Sequence, residues 1–282
     1  MFGCTGVVVM CKFCFEHGGG KKWYLNPDNF SDKMLDDEKR REVLADICGY
    51  GIDYYIGNPQ LNMLRTPGLG AEAIQMVEDM LVQAHGGQVL PLEDALKLVD
   101  LAENFVLLRC MCRRVVGAKE EFTCLNFGPI KEYFELEKPS EPMKELTADE
   151  AKEFLRESDR KGLVHWVGWA KIPYPVAICN CDTTYCTSYK ARMAFGVKNA
   201  MLKSHYIATV DWDKCDGCYD RGGVPMCISR CPYGALTWVR TDGRVTVDVT
   251  KCFGCGACRS ACDTGAIKLV DREQNPIAKN LW

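Results

Sequence analysis

The sequence contains 18 cysteines among 282 residues, and their spacing is the feature most suited to chemistry. Eight of them fall within one short segment: Cys215, Cys218, Cys227, Cys231, Cys252, Cys255, Cys258 and Cys262. A chain of this length, with 47% hydrophobic residues, can bury a core and does not need disulfides to fold. Clustered thiols in such a chain indicate metal binding rather than cross-linking.

The cysteine-rich segment repeats internally. Residues 211–218 align with 248–255 at an offset of 37, and residues 227–235 align with 258–266 at an offset of 31. The first copy therefore carries a six-residue insertion between its two aligned blocks. Each copy is predicted to form a short strand, a cysteine-rich loop, one helical turn and a second short strand. The second strands are predicted at 236–239 and 267–270.

The second copy has the spacing C-x2-C-x2-C followed by a fourth cysteine, Cys262. Residues 204–272 thereby resemble the bacterial two-cluster ferredoxin, in which the fourth cysteine of each run ligates the other cluster. The resemblance implies two [4Fe-4S] clusters. For cluster I it implies the ligands Cys215, Cys218, Cys227 and Cys262, and for cluster II the ligands Cys252, Cys255, Cys258 and Cys231. A zinc ribbon is the alternative, but zinc sites use paired C-x2-C hooks without these further cysteines.

Two groups of three cysteines lie upstream and share a pattern. A predicted helix and a strand at 105–108 precede Cys110-Met111-Cys112. A helix that opens with the capping box at Thr147, followed by strands at 163–169 and 176–178, precedes Cys179-Asn180-Cys181. In an extended chain, residues i and i+2 point to the same side about 7 Å apart, so both thiols of each pair can reach one metal.

Each C-x-C pair has a third cysteine nearby. The favoured interpretation is a third iron–sulfur cluster that uses four of the six thiols of Cys110, Cys112, Cys124, Cys179, Cys181 and Cys186. The alternatives are zinc, a redox-active dithiol, and ordinary buried cysteines, which pack as small hydrophobic residues.

A second resemblance joins these motifs to the repeat. Arg109-Cys110-Met111-Cys112-Arg113, the segment Gly162-Leu163-Val164-His165 and the segment Cys179-Asn180-Cys181-Asp182 resemble motifs of long iron–sulfur proteins of anaerobes, known as 4Fe-4S binding proteins. This resemblance spans about residues 90–272 and implies electron transfer without identifying a reaction.

The remaining cysteines and the histidines carry weaker signals. Cys11-Lys12-Phe13-Cys14 is a lone C-x2-C hook that could form a further metal site with Cys4, or could be an unligated terminus. Cys48 follows a helical pattern and is interpreted as a core residue. The four histidines show no metal-binding spacing and are interpreted as structural: His17, His85, His165 and His205.

Charge and composition exclude several classes of protein. A formal net charge of −3 argues against nucleic acid as a partner, because that affinity is largely phosphate neutralisation by Lys and Arg. No apolar stretch reaches the ~18 residues of a membrane-spanning helix, and residues 1–10 lack the basic region of a signal peptide. We therefore expect no transmembrane segment and a cytoplasmic protein, in which thiols stay reduced.

Catalytic motifs are missing from the sequence. There is no G-x4-G-K-[ST] phosphate loop and no G-x-S-x-G elbow. Residues 68–73 fit G-x-G-x2-A, but no predicted strand precedes them, which argues against dinucleotide binding. Whether the chain is an enzyme stays open, and an electron carrier or an electron-transfer subunit of an oxidoreductase is favoured.

Together these observations predict an α+β iron–sulfur protein. We expect a helical N-terminal region (1–90), a mixed αβ region with the C-x-C metal site (91–203) and a two-cluster ferredoxin domain (204–282). The expected function is one-electron transfer between a redox donor and an acceptor, which could include a flavin or metal oxidoreductase subunit. The alternatives are an oxidoreductase subunit with an open-coordination cluster at the upstream cysteines, and a redox sensor.

Overall fold

The computed structural model describes residues 11–30, 70–83, 86–119, 121–137, 139–218 and 223–282. Four residues singled out above lie outside these ranges: Cys4, Cys48, Gly68 and His85. The described part is mixed α/β, and the ladders between its strands are antiparallel. An α+β composition is what the sequence predicts.

The N-terminal described segment packs into the core through aromatic side chains. It forms helix α1 (Lys12–His17) and two 3-10 turns, Trp23–Leu25 and Pro27–Phe30. The indole of Trp23 is fully buried and meets that of Trp169 edge-on, with ring centroids 5.6 Å apart. Burial of large aromatic side chains gives a short segment enough apolar contact to order it.

A six-stranded antiparallel sheet forms the centre of the upstream region. Its strands are β1 (Gly86–Val89), β2 (Phe105–Arg109), β3 (Phe122–Asn126), β4 (Met143–Leu146), β5 (Val164–Lys171) and β6 (Tyr174–Cys181). They lie in the order β1-β5-β6-β3-β2-β4. Because β2 and β6 are both antiparallel to β3, they run parallel to each other and end at the same edge of the sheet. Those ends carry the two C-x-C pairs.

Within the described ranges, six further helices surround the sheet: α2 (Ala71–Gln83), α3 (Leu92–Val99), α4 (Met111–Val115), α5 (Ile130–Glu137), α6 (Ala148–Arg160) and α7 (Thr187–Phe195). The predicted capping box is confirmed at the start of α6, where the Thr147 hydroxyl accepts from the Glu150 amide and the Glu150 carboxylate accepts from the Thr147 amide. Leu98 of α3 and Leu155 of α6 are fully buried in one core cluster, which joins these helices to the sheet.

The C-terminal region folds as two interleaved copies. Its elements are β7 (Tyr206–Val210), α8 (Met226–Arg230), β8 (Leu236–Val239), β9 (Arg244–Val247), α9 (Ala257–Ser260) and β10 (Ile267–Asp271). The predicted order of strand, loop, helical turn and strand is confirmed in both copies. Strand β7 pairs with β10, and β8 pairs with β9, so the first strand of one copy pairs with the last strand of the other.

A buried arginine ties the start of strand β7, the second cysteine loop and the end of the chain together. The guanidinium of Arg272 donates to the carbonyls of Ser204 (2.7 Å), Tyr206 (3.0 Å), Cys252 (2.8 Å) and Leu281 (3.2 Å). Burial lowers the pKa of Arg272 to about 10, which still leaves it charged at neutral pH. Its planar fork therefore satisfies four carbonyls from separate parts of the chain.

We predict that Arg272→Lys lowers the free energy of unfolding by about 3 kcal/mol, because an ammonium cannot reach all four carbonyls and each buried unpaired group costs about 1–3 kcal/mol. The measurement is the urea concentration at the unfolding midpoint. Arg240→Lys is the control, since Arg240 is exposed and the same change there should leave the midpoint unchanged. Equal midpoints for both variants would contradict the assigned role of Arg272.

Candidate metal centres

Four cysteines from both copies of the repeat line one cavity, which we call cavity I. It has a volume of about 340 Å³, and its thiols come from Cys215, Cys218, Cys227 and Cys262. Three of these belong to the first copy, and Cys262, which follows α9, belongs to the second. Of the four, Cys227 alone is buried and the other three are partly exposed, so cavity I lies close to the surface.

The other four cysteines of the repeat line cavity II, which has a volume of about 290 Å³: Cys231, Cys252, Cys255 and Cys258. Here the second copy supplies three thiols and the first copy supplies one. Backbone amides point at the sulfurs, as Ala208 donates to Cys252 Sγ at 3.3 Å and Ala235 donates to Cys231 Sγ at 3.4 Å. Thiolate ligands of iron–sulfur clusters accept hydrogen bonds of this kind.

The surroundings of three of these thiols disfavour the ionised thiolate. Burial, with the charge of neighbouring cysteines added to it, raises the pKa of Cys227 to about 12. Burial likewise raises the pKa of Cys255 to about 12, and it raises the pKa of Cys258 further. Without metal, these three thiols therefore hold their protons at neutral pH. A metal that binds them as thiolates must displace those protons and supply the compensating charge.

Gly254 lets the second cysteine loop approach strand β7. It has a φ of +70°, and a Cβ atom at this position would lie 2.0 Å from the carbonyl oxygen of Tyr206. A left-handed conformation together with this contact excludes any side chain. The small residue is therefore what brings Cys252 and Cys255 against β7 and forms one wall of cavity II.

The six upstream thiols meet in one cluster, which we call the thiol ring. Each thiol is in hydrogen-bond contact with two others, in the closed order Cys110, Cys112, Cys186, Cys181, Cys179 and Cys124. The Sγ atoms of Cys181 and Cys186 are 3.5 Å apart. Residues predicted from two separate motifs are thus brought together by the fold.

Strand pairing places three of the ring thiols. Cys124 on β3 lies directly opposite Cys179 on β6 and opposite Leu108 on β2. Cys179 and Cys181 lie two residues apart on β6, in the extended geometry that the sequence predicts. Cys186 precedes helix α7, where its Sγ accepts from the amide of Tyr189 at 3.4 Å.

The extended geometry is wrong for the other C-x-C pair. Cys110 ends the extended segment, with φ −64° and ψ 113°, and helix α4 begins at Met111, so Cys112 is helical. The ladder between β2 and β3 shifts register between Leu108 and Arg109, which releases the chain from the sheet at this point. The two thiols nevertheless remain in hydrogen-bond contact.

Hydrogen bonds among the ring thiols lower the pKa of some of them and raise the pKa of others. Hydrogen bonds from neighbouring thiols hold the pKa of Cys110 and of Cys186 well below the usual range. The same contacts, with burial added, hold the pKa of Cys112, Cys124 and Cys181 well above it. Six like charges cannot coexist at this spacing, so full ionisation of the ring requires a metal charge at its centre.

Asn180 fixes the strand that delivers two of the ring thiols. Its side chain lies on the opposite face of β6 from Cys179 and Cys181, and it donates to the carbonyl of Thr123 at 3.0 Å. Its Oδ1 lies 2.7 Å from Nδ1 of His165, a buried histidine whose pKa is lowered by burial. The motif residues Asn180 and His165 therefore join β6 to β3 and β5 and position the thiols without being ligands.

The thiol ring and cavity II share one apolar cluster. Tyr233 and Phe253 stack with ring centroids 3.9 Å apart, and both pack in a cluster that contains Cys186 and Cys255. Burial, with the charges of Cys255, Cys181 and Cys186, raises the pKa of Tyr233, which places it beside thiols of both sites. The ring is thus adjacent to cavity II, with aromatic side chains between them.

Polar contacts also connect the second cysteine loop to the upstream helices. Arg259 of α9 donates two hydrogen bonds to the carboxylate of Glu93, at 2.8 and 2.6 Å. Ser260 Oγ donates to Asp159 of α6 at 2.6 Å. The helical turn that carries Cys258 is therefore held against both α3 and α6.

The C-x2-C hook of the N-terminal segment meets a histidine of the C-terminal region. Ligand atoms of Cys11, Cys14 and His205 all lie within 4.8 Å of one another, and all three residues are buried. The histidine spacing did not indicate this cluster, because 191 residues separate Cys14 from His205 and only the folded chain joins them.

Comparison with known proteins agrees with the chemistry of the repeat. The model of the 4Fe-4S binding domain matches residues 245–268. The uncharacterized ferredoxin-like protein YdhY of Escherichia coli is 44% identical over 50 residues, which cover 18% of this chain and 22% of YdhY. A subunit of the tetrathionate reductase of Archaeoglobus fulgidus is 42% identical over 53 residues, 19% of this chain and 23% of that protein.

The putative electron transport protein YsaA of Escherichia coli is 31% identical over 67 residues, which cover 24% of this chain and 41% of YsaA. The chain thus matches less than half the length of each of these relatives. No solved structure matches the chain at a significant level. The similarities support an iron–sulfur protein of the ferredoxin type with a role in electron transfer. Within the described residues, no helix is long and apolar enough to span a membrane.

We predict that Gly254→Ala removes about half of the metal bound by the C-terminal region, because the added Cβ would push the loop of Cys252 and Cys255 away from Tyr206. The measurement is the metal content per chain by plasma emission spectroscopy. Gly234→Ala is a matched control, since Gly234 also has a positive φ (+61°) but has no atom within 4 Å of the added Cβ. Both variants carry the backbone cost of about 1–2 kcal/mol, so an equal loss of metal would contradict the role of close approach.

Proposed function

We propose that the chain is an iron–sulfur electron-transfer protein that holds two [4Fe-4S] clusters in its C-terminal region and a third cluster at the thiol ring. When bound, such clusters accept and release single electrons. The chain supplies their thiolates, their spacing and the hydrogen bonds to sulfur. We also propose a division into regions 1–90, 91–203 and 204–282, in which strand β1 of the first region completes the sheet of the second.

The observation that carries the proposal is the distribution of thiols between the two cavities. Each cavity gathers four thiols, three from one copy of the repeat and one from the other. We assign cluster I to cavity I and cluster II to cavity II. Four thiols complete the ligand set of a cubane cluster, and the amide donors at cavity II fit its sulfur ligands.

The thiol ring supports a third cluster through the number of thiols that it gathers. A cubane cluster needs four of them, and the ring offers six. The mixture of raised and lowered pKa values in the ring indicates what a bound metal would relieve, because a metal charge permits every ligand to ionise together. The thiol ring lies next to cavity II, with Tyr233 and Phe253 between them, and this position suits a third cluster that exchanges electrons with cluster II.

The negative charge around cavity I supports a protein partner with a basic surface. Each cluster with four thiolates adds about −2 to the formal charge of −3. The exposed Asp216 and Asp263 line cavity I. Trp212 and Met226, each within three residues of a cysteine of cavity I, are exposed apolar residues. This combination fits a brief, charge-steered encounter with a redox protein that presents a basic face.

A second candidate is the iron–sulfur subunit of an oxidoreductase, and it rests on the similarity to the tetrathionate reductase subunit. In that case the partner would be a catalytic subunit that carries a flavin or a metal. We propose the cytoplasm as its location, because a reducing compartment keeps thiols available for metal.

Iron and sulfide counting on anaerobically purified protein, combined with EPR of the reduced protein, tests the proposal. We expect about twelve irons per chain and EPR signals from three interacting clusters. A count of about eight would contradict the third cluster, and zinc in place of iron would contradict iron–sulfur clusters altogether.

Cysteine variants assign the sites. Cys215→Ala should lose the cluster of cavity I and retain the thiol ring, whereas Cys181→Ala should do the opposite. Ser229→Ala is the control, because Ser229 lies two residues from Cys227 on the exposed side of α8 and should retain all of the iron. A Cys181→Ala variant that keeps twelve irons would show that Cys181 is not one of the four ligands.

A further inference from the structure

Three metal-ligating side chains meet where the N-terminal segment contacts the C-terminal region. Cys14 Sγ lies 3.1 Å from Nε2 of His205, and Cys11 completes a group whose ligand atoms all lie within 4.8 Å of one another. The fractional exposures of Cys11, Cys14 and His205 are 2%, 1% and 6%. We propose that these residues hold a structural zinc ion, at a site separate from the thiol ring and from both cavities.

The donor set favours zinc. Two thiolates and one imidazole nitrogen are donors that zinc takes, and they supply three of the four ligands of a tetrahedral site. Calcium and magnesium require oxygen donors. A cubane cluster takes four cysteines, whereas the described residues bring two thiols to this place. The C-x2-C hook also has the sequence spacing of a zinc ligand pair.

The residues around the three ligands orient them. The backbone amide of Trp23 donates to Cys14 Sγ at 3.3 Å, as amides do toward metal-bound thiolates. The other ring nitrogen of His205, Nδ1, lies 4.0 Å from a carboxylate oxygen of Glu273. A histidine that faces a metal with one nitrogen and a carboxylate with the other is the usual arrangement at zinc sites.

Aromatic side chains enclose the imidazole. The ring of Trp282 lies 5.0 Å from that of His205, and the ring of Tyr24 lies 5.9 Å from it. Both distances join ring centroids. Enclosure of this kind limits the access of water and of chelators, which suits a structural ion rather than an exchangeable one.

The site would fasten two distant parts of the chain. His205 immediately precedes β7, and Cys11 and Cys14 lie on the segment of α1. Beside the site, Lys22 donates to the buried Asp94 at 2.5 Å and to the hydroxyl of Tyr206 at 2.6 Å. Zinc binding adds its free energy to this contact, so removal of the ion should loosen residues 11–30 more than the rest of the chain.

Zinc analysis and zinc-edge X-ray absorption on the full chain, grown with zinc and purified anaerobically, test the site. We expect about one zinc per chain, with sulfur at about 2.3 Å and an imidazole nitrogen at about 2.0–2.1 Å. His205→Gln should lose the zinc, and His205→Cys should retain it with one further sulfur ligand. His17→Gln is the control, since His17 lies on the same segment with its side chain partly exposed.

Three outcomes would overturn the site. They are the absence of zinc, a zinc surrounded by four sulfurs in the unmodified chain, and full retention of zinc by His205→Gln. Rescue by His205→Cys separates a ligand from a residue that only packs. Iron content is measured on the same samples, and it should stay at its unmodified value in all three variants. The zinc site and the iron–sulfur proposal therefore stand or fall separately.

Discussion

Thiols that lie within hydrogen-bond distance of one another cannot all ionise without a compensating positive charge. The three groups of cysteines in the thiol ring and the two cavities are all subject to that constraint. In the thiol ring, six sulfurs share protons, so some thiols become more acidic and others less acidic. In the cavities, burial instead raises the pKa of Cys227, Cys255 and Cys258, which keeps these three thiols neutral. Such an arrangement is costly without a metal, and it becomes favourable when a cation compensates the charge.

The C-terminal region and the upstream region bring their cysteines together by different means. In the C-terminal region, short loops with left-handed glycines bring thiols together. Strand pairing between the copies sets them side by side, and each copy supplies the fourth thiol of the other copy's set. In the upstream region, the pairing of strands in a sheet brings the thiols together. Strand β3 separates β2 from β6, brings Cys124 opposite Cys179 and leaves the two C-x-C pairs at the same edge. Asn180 then fixes the strand from its opposite face.

Local sequence patterns predicted most of the helices and strands. The composition of the thiol ring and of the cluster at His205 depends on tertiary contacts. The repeat offsets and the capping box at Thr147 specify elements that form where the sequence places them, because their determinants lie within a few residues of one another. The helical turn at Cys112 depends on where strand pairing stops, which no local spacing indicates. The contact of His205 with Cys14 spans 191 residues, so the histidine carried no signal in the sequence. Closure of six thiols into one ring depends likewise on strand order.

The ion pair between Arg259 and Glu93, with the hydrogen bond from Ser260 to Asp159, fixes the spacing between the second cysteine loop and the upstream helices. The stacked pair of Tyr233 and Phe253 fills the space between cavity II and the thiol ring. An electron that crossed this contact would follow a path of constant length, because these contacts leave its two ends fixed relative to each other. The rate of electron transfer across this contact should then be independent of solvent viscosity. In a carrier whose domains move between partners, by contrast, that rate depends on viscosity.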